Sequence, residues 1–285
     1  MMRAVVLVSA YVLLTSTLPQ FKARVEVVRI DALVTQGNKP LAGLTAADFE
    51  VRDNGQLQQV RLADAGLSHL DVILALDMSA SLTAERFAQL RAASESLLHR
   101  LRPEDRAALL TFDQRVTVRQ GLTGEVERIR DSLRQATRTG RTSLADALFS
   151  GLTMAEGGDR RTLLIVFSDG VDTSSWLESD SVIDIVRRSA VVIYGVTPTT
   201  AKTASVLNDA VDASGGEILD GRSSRLDTAF TEVLNAFRQR YLLTFSPTQT
   251  ASPGWHRLDV RVKRRGATVR ARRGYFVAPQ SGSGS

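Results

Sequence analysis

The chain has 285 residues, of which 43% are hydrophobic, and its formal net charge is +5. This length and composition are typical of a globular protein with one large domain and a smaller one, and they exclude general disorder. The chain contains no cysteine, which excludes disulfides, thiolate zinc sites, iron–sulfur clusters and cysteine nucleophiles.

The N-terminal segment has the features of an export signal. Arg3 precedes an apolar run at residues 4–14, and Pro19 interrupts the segment soon afterwards. This run is too short to cross a bilayer comfortably as a helix and is typical of the hydrophobic part of a signal peptide. We expect residues 1–20 to be a signal peptide and the protein to be exported to the periplasm or the extracellular space. The alternatives are an uncleaved N-terminal membrane anchor and a buried strand or helix.

Residues 22–66 are expected to form a small antiparallel β unit. Residues 24–35 alternate between apolar and polar side chains for much of their length, as in a half-buried strand. Two further runs flank Asn54-Gly55. An Asn-Gly pair between such runs predicts a tight hairpin, because both central residues of the turn need a positive φ.

Strands and helices alternate in the next part of the chain, residues 67–240. Strands are predicted at residues 71–76, 107–112, 116–118, 162–167, 191–196 and 216–219, and helices at 83–101, 126–136, 144–155, 181–189, 204–213 and 224–240. Several of these strands are continuously apolar, as expected where both faces of a parallel sheet are covered. The pattern predicts an α/β fold, with a doubly wound, mostly parallel sheet and helices on both faces.

Strands without helices return at residues 241–278, followed by a flexible tail at residues 279–285. Neither β-rich flank has enough strands to be comfortably stable alone. We therefore expect both chain ends to form one small antiparallel β-sandwich, with the α/β domain inserted in it and Trp255 in its core.

Much of the positive charge lies in residues 260–273, which are predicted to form a basic hairpin. Alternating valine and arginine is typical of a half-buried strand with a solvated face. The stretch has no aromatic residue before Tyr275 on which bases could stack, so nucleic-acid binding is not expected.

Oxygen-bearing side chains follow the strands that are predicted to be central. The first α/β strand ends in Asp77-Met78-Ser79-Ala80-Ser81, and a later strand is followed by Ser168-Asp169-Gly170. Ligands of doubly wound sheets bind at the carboxyl ends of the strands, where the winding reverses. The candidate metal ligands at this edge are Asp77, Ser79, Ser81, Thr142 and Asp169.

This ligand set suits Mg²⁺, with Mn²⁺ or Ca²⁺ as alternatives, because all of its donors are hard oxygens. Three neutral hydroxyls and at most two carboxylates barely neutralise a divalent ion. An ion that keeps an open position then attracts an anionic oxygen from outside. We expect a Glu or Asp carboxylate of a partner protein to complete the octahedron that Mg²⁺ demands.

These residues resemble the metal ion-dependent adhesion site (MIDAS) of von Willebrand factor A and integrin inserted domains, with its D-x-S-x-S, T and D-G elements. The resemblance covers roughly residues 70–240. It implies that Asp77, Ser79, Ser81 and Thr142 surround the metal and that Asp169 acts through water. The flanks at residues 43–49 and 273–276 resemble those of secreted bacterial proteins of this superfamily.

Several alternatives remain open at this point. Ser79 and Ser81 would instead cap the following helix, and Asp169 would open a turn, if no metal bound there. A Mg²⁺-dependent hydrolase performing phosphoryl transfer would use the same acids, but an aspartyl-nucleophile phosphatase wants a second acid where Ser79 stands. A purely structural domain with an unused site is the third alternative. Trp176 is either a partner contact at the rim of the site or a locally packed side chain.

Overall fold

A six-stranded sheet forms the middle of the chain, and strands from the two chain ends form two antiparallel sheets beside it. The computed structural model of the protein describes residues 27–37, 39–63, 69–80, 82–156, 160–168, 171–198, 205–222, 225–247 and 252–278. The strands of these residues are β1 (Val28–Gln36), β2 (Lys39–Pro40), β3 (Phe49–Asp53), β4 (Gln56–Gln58), β5 (Arg61–Ala63), β6 (Leu70–Asp77), β7 (Arg106–Phe112), β8 (Val116–Thr123), β9 (Arg161–Phe167), β10 (Val192–Thr197), β11 (Ile218–Asp220), β12 (Tyr241–Phe245), β13 (Gly254–Val262), β14 (Ala267–Arg270) and β15 (Gly274–Val277). Their α-helices are α1 (Ala84–Leu98), α2 (Val126–Arg134), α3 (Leu144–Met154), α4 (Ser179–Arg188), α5 (Val206–Ser214) and α6 (Leu226–Arg238), and a short 3₁₀-helix spans Ala46–Asp48.

The central sheet has the strand order β11-β10-β9-β6-β7-β8. Its neighbouring strands run parallel except for the edge strand β8, which is antiparallel to β7. Every residue of β6 and β9 is buried, because both strands carry apolar side chains on both faces. The prediction of an α/β fold with a mostly parallel sheet is therefore confirmed.

Helices cover both faces of this sheet. Alternate residues of β6 point to opposite faces, so Leu74 packs with α1, α2 and α6, whereas Ile73 packs with α3, α4 and α5. Full burial of one such aliphatic side chain contributes about 1.5–3 kcal/mol. The two resulting cores hold the carboxyl ends of β6 and β9 in fixed positions.

The winding direction reverses between β6 and β9. The chain proceeds from β6 through β7 to β8 on one side of the sheet, then returns to β9 and continues through β10 to β11 on the other side. Loops that follow β6 and β9 therefore diverge above and below the sheet, and they leave a crevice at its carboxyl edge.

Strands from both chain ends share the two antiparallel sheets. β1 pairs with β12 and β14, and β13 pairs with β3 and β15. One hydrophobic cluster contains side chains from both sheets, among them the fully buried Ile30, Val51 and Leu243. The predicted hairpin between β3 and β4 is also confirmed, because Asn54 and Gly55 have φ values of 47° and 87°.

Two predictions about strands need correction. In the central sheet, β8 continues to Thr123, five residues beyond the predicted edge strand, and its register against β7 is irregular. The predicted basic hairpin is wrong, because β13 and β14 pair with strands of different sheets. Val260 of β13 and Val269 of β14 both pack on the same core. The alternation of valine and arginine therefore indicates which face of each strand is buried, but it does not indicate which strand pairs with it.

The prediction that Trp255 lies in the core of the β region is also wrong. Trp255 is 42% exposed, whereas its neighbours on the opposite face of β13, His256 and Leu258, are each 6% exposed. Successive side chains of a strand point to opposite faces, and in β13 the side chains of the even-numbered residues point into the core.

The predicted signal peptide at residues 1–20 and the tail at residues 279–285 lie outside the described residues. Within the described parts of the chain, no helix is long and apolar enough to cross a membrane.

Candidate metal centre

Asp77 is the last residue of β6 and lies at the reversal of the winding, with only 4% of its surface exposed. Its Oδ1 accepts a hydrogen bond from the Ser79 backbone N–H at 2.9 Å. Its Oδ2 accepts one from the hydroxyl of Ser168, which directly follows β9, at 2.8 Å. The carboxylate is therefore oriented by the loops that follow both central strands.

The loop after β6 is bonded to the loop that precedes α3. The Ala80 N–H donates to the Gly140 carbonyl at 3.1 Å, and the Thr139 N–H donates to the Met78 carbonyl at 2.8 Å. Gly140 has a φ of 73°, a conformation that favours glycine. These bonds bring the residues just before Thr142 next to the Asp77–Ser79 loop.

Thr142 is 5% exposed and is held by the loop that follows β9. Its carbonyl accepts hydrogen bonds from the backbone N–H groups of Thr173 and Ser174 at 2.9 and 3.0 Å, and its own N–H donates to the Thr173 hydroxyl at 3.0 Å. The loops after β6 and β9 and the loop before α3 thus form one hydrogen-bonded edge that contains Asp77, Ser79 and Thr142.

Asp172 has a structural role in this edge. Its carboxylate accepts hydrogen bonds from the Ala145 N–H at 2.8 Å and the Ser175 hydroxyl at 2.6 Å. The first of these bonds satisfies a backbone donor at the beginning of α3. Asp172 is therefore a loop carboxylate that ties the segment after β9 to the beginning of α3.

A cavity of about 140 Å³ opens at this edge. Its lining residues are Asp77, Ser79, Leu82, Thr83, Arg86, Phe167 and Pro198. Two of the predicted ligands therefore line a common cavity, and Thr142 is buried in the adjoining loop. The predicted ligands Ser81 and Asp169 lie outside the described residues.

The donor chemistry of the described residues fits a hard divalent cation. Asp77 supplies a buried carboxylate, and Ser79 and Thr142 carry hydroxyls and are 4% and 5% exposed. Oxygen donors of this kind suit Mg²⁺, Mn²⁺ or Ca²⁺. Among the described residues, no group of three or more His, Cys, Asp or Glu side chains is arranged to hold a metal. Among the described residues, the hydroxyls of Ser79 and Thr142 are the donors that would accompany Asp77.

Trp176 projects from the loop after β9 with 92% of its surface exposed, so it does not pack locally. The loop itself is well anchored, because the Trp176 and Leu177 N–H groups each donate to one oxygen of Asp146 at 3.0 Å. Val171 and Leu177, which are 47% and 37% exposed, extend the apolar surface of this loop.

Sequence reasoning missed two residues of this edge, Ser168 and Arg86. Ser168 directly follows a central strand, but its hydrogen bond to Asp77 joins residues that are distant in sequence. Arg86 carries no sequence signal beyond its place near the beginning of α1.

A second buried polar cluster, also missed, lies in the antiparallel sheets. His256 Nδ1 lies 2.8 Å from Asp53 Oδ1, His256 Nε2 lies 2.8 Å from the Ser252 carbonyl, and the Tyr275 hydroxyl donates to Asp53 Oδ2 at 2.8 Å. Burial lowers the pKa of His256, but the hydrogen bonds to Ser252 and Asp53 outweigh it and raise the pKa above its ordinary 6.5. Both ring nitrogens face acceptors, so the cluster favours the imidazolium form.

Comparison with known proteins agrees with this arrangement. Residues 72–172 match the family model described as the von Willebrand factor type A domain. No curated protein matches the sequence.

Solved structures with similar folds include three kinds of protein. The vWF domain of the type V pili tip protein Mfa5 from Porphyromonas gingivalis is 11% identical, with a TM-score of 0.51 over 59% of this chain and 94% of that chain. Proximal thread matrix protein 1 from the mussel byssus, with a zinc-occupied MIDAS motif, is 18% identical, with a TM-score of 0.53 over 61% of this chain and 47% of that chain. A mutant of the PilB minor pilin from Streptococcus sanguinis is 10% identical, with a TM-score of 0.51 over 74% of this chain and 78% of that chain.

At these identities the likeness concerns the fold alone, and this chain spans about half the length of the mussel protein. The matched segment begins within β6 and ends beyond β9, so it contains the reversal of the winding and the Asp77 edge. Residues 72–172 therefore have the sequence pattern and the fold of a von Willebrand factor type A domain.

Proposed function

We propose that the protein is a metal-dependent, adhesion-type binding module in which Mg²⁺ at the Asp77 edge coordinates an acidic side chain of a partner protein. The observation that carries this proposal is the buried Asp77 carboxylate, oriented by the Ser79 N–H and the Ser168 hydroxyl at the reversal of the winding. A carboxylate fixed in this way is prepared to hold a cation without reorganisation.

The proposed ligand set joins the described residues Asp77, Ser79 and Thr142 to Ser81 and Asp169, which are predicted from the sequence alone. In this set Asp169 acts through water, so the inner shell carries one negative charge. A divalent ion with that little neutralisation would attract a further anionic oxygen. Mn²⁺ or Ca²⁺ would suit the same oxygen donors. Zinc is a further test case, because the mussel protein has been solved with zinc in its MIDAS motif.

A binding role is supported by the surface beside the site. Trp176, with Val171 and Leu177, exposes apolar surface on an anchored loop of the same edge. Tryptophan is enriched among the residues that dominate protein–protein binding energies. We therefore infer that the partner presents a carboxylate next to an apolar surface, and we propose neither a nucleic-acid partner nor a catalytic role.

The proposed domain organisation places the type A domain at residues 67–240, inserted in a β-sandwich formed by residues 22–66 and 241–278. The pairing of β1 with β12 and of β3 with β13 supports this arrangement, as does the hydrophobic cluster common to both sheets. Residues 1–20 are proposed to direct export, with residues 279–285 as a tail.

The test is a calorimetric titration of MgCl₂ into chelator-treated protein, with and without sodium acetate as a minimal carboxylate. Parallel titrations use Mn²⁺, Ca²⁺ and Zn²⁺. We expect saturable binding of Mg²⁺ at one site, and we expect acetate to increase its affinity. Absence of Mg²⁺ binding under both conditions would refute the proposal.

The variant Asp77→Asn assigns the binding to this edge. The Asn side-chain oxygen can still accept a hydrogen bond from the Ser79 N–H, and its amide N–H can donate to the Ser168 hydroxyl. The fold should therefore persist while the charge is lost. The matched control is Asp113→Asn, since Asp113 follows β7 at the same edge and accepts a hydrogen bond from the Arg115 N–H at 2.9 Å. We expect loss of binding in Asp77→Asn and wild-type binding in Asp113→Asn.

A further inference from the structure

Arg86 lies in the wall of the same cavity as Asp77 and Ser79. It occupies the first turn of α1, where its backbone N–H donates to the Thr83 hydroxyl at 3.2 Å. Its guanidinium Nη2 donates to the carbonyl of Gly221, in the loop after β11. The positive side chain is thus held between α1 and the carboxyl edge of the sheet.

The charge of Arg86 acts in a partly desolvated place. Burial lowers its pKa, and the charge of Asp220 opposes that shift. The Asp220 carboxylate is itself engaged by Arg222, whose hydrogen bonds lower the pKa of Asp220 to about 2. Arg86 remains protonated at neutral pH, and the apolar residues Leu82 and Phe167 in the cavity wall weaken the screening of its field.

The position of Arg86 has opposite consequences for the two proposed ligands. A cation bound beside Asp77 would share the cavity with a second positive charge, which weakens its binding. An incoming carboxylate would meet both the cation and the guanidinium, and hydrogen bonds between ionised groups of this kind are stronger than neutral ones.

We propose that Arg86 selects the anion of this site, because it weakens the binding of the metal alone and strengthens the binding of a carboxylate, so that the site holds its metal firmly only with a carboxylate-bearing partner. This inference rests on the proposed metal-dependent function and goes beyond it by naming a residue that strengthens carboxylate binding. Arg86 is a specificity-determining residue for the anion and is not a ligand of the metal.

Coupling between two ligands is reciprocal, so its size can be read from either titration. In the wild-type protein, saturating acetate should raise Mg²⁺ affinity by a factor in the usual range of roughly 5–150. Removal of the guanidinium charge should raise the affinity for Mg²⁺ alone and lower the affinity of the Mg²⁺-loaded protein for acetate. These changes have opposite signs, whereas a variant with a damaged site would lose affinity for both ligands.

The experiment uses calorimetry to titrate MgCl₂ into the full-length protein and its variants, and then sodium acetate into the Mg²⁺-saturated proteins. Arg86→Gln removes the charge but keeps an N–H donor for the Gly221 carbonyl, so we expect it to fold. Arg86→Lys keeps the charge and should retain most of the affinity for acetate. Arg115→Met is the matched control, because Arg115 is exposed in the loop after β7 and does not line the cavity.

Tighter Mg²⁺ binding without acetate in Arg86→Gln, together with weaker acetate binding to the Mg²⁺-loaded variant, would support the inference. Acetate affinity of Mg²⁺-loaded Arg86→Gln equal to that of the wild type would overturn it while leaving the metal site intact. An equal loss of acetate affinity in Arg115→Met would also overturn it, since any positive charge at this edge would then have the same effect. Absence of Mg²⁺ binding in the wild type would overturn the proposed function and this inference together.

Discussion

Replacement of Arg240 by Met should destabilise the protein strongly, because Arg240 joins the region around the central sheet to the antiparallel sheets. Its side chain is almost fully buried, with 1% exposed. Its Nη1 donates to the Tyr194 hydroxyl at 2.8 Å, and its Nη2 donates to the Gly215 carbonyl. Longer contacts of 3.4 and 3.3 Å reach the carbonyls of Asp31 in β1 and Arg270 in β14.

The size of the effect follows from these contacts. Two well-formed hydrogen bonds from a charged donor contribute about 1.5–3 kcal/mol each. Removal of the buried cation relieves its desolvation cost, but several carbonyls and the Tyr194 hydroxyl then remain buried with fewer partners. We expect a net loss of about 3–5 kcal/mol, because two such bonds are lost and their acceptors stay buried. For a protein of this size the melting temperature should fall by roughly 6–20 °C.

Urea unfolding followed by far-UV circular dichroism measures this loss. The control is Arg134→Met, which removes an exposed arginine paired with Asp131 and should change the free energy of unfolding by less than about 1 kcal/mol. The slope of the free energy against urea should be unchanged in both variants. The reasoning would be refuted if Arg240→Met were as stable as Arg134→Met.

Further predictions concern pH, a glycine and the exposed tryptophan. The pKa of His256 is raised above 6.5 in the folded state, so protonated His256 stabilises the fold fully below its unfolded pKa, and this stabilisation is lost as the pH rises through its folded pKa. The urea concentration at the midpoint of unfolding should therefore fall as the pH rises from the unfolded to above the folded pKa of His256. A rise of the midpoint over these pH values would contradict the prediction. Gly216→Ala would place a Cβ 1.8 Å from the Ile193 carbonyl oxygen, so thermal unfolding should reveal a loss of at least about 3 kcal/mol. Gly124→Ala, where the nearest atom is 3.9 Å away, should cost far less. Trp176→Ala should leave the free energy of unfolding within about 0.5 kcal/mol of the wild type, because its side chain is 92% exposed; a larger loss would mean that the ring packs against the domain.

The elements of the central sheet could be predicted because local sequence determines them. β6 and β9 are apolar on both faces, and such runs identify buried parallel strands without knowledge of their neighbours. Asp77 and Ser79 follow directly from the position at which β6 ends. The β3–β4 hairpin was equally predictable, since Asn54-Gly55 specifies the turn by its backbone preferences.

Features that depend on contacts distant in sequence could not be predicted in this way. The bond between Ser168 and Asp77 joins residues 91 positions apart, and nothing local distinguishes Ser168 from any other serine after a strand. Arg240 follows an amphipathic helix, where an arginine usually faces water, yet it is buried between two parts of the fold. Pairing partners pose the same difficulty, because alternation in β13 and β14 identifies a buried face only.

A divalent cation is proposed to bind at the Asp77 edge. Crystals of the protein grown with MnCl₂ and sodium acetate, measured for anomalous scattering by manganese, would test it most directly. We predict an anomalous peak within coordination distance of Asp77 and the hydroxyls of Ser79 and Thr142, with an acetate oxygen on the same ion. A map without a peak at this edge, or with its strongest peak elsewhere on the protein, would contradict the account.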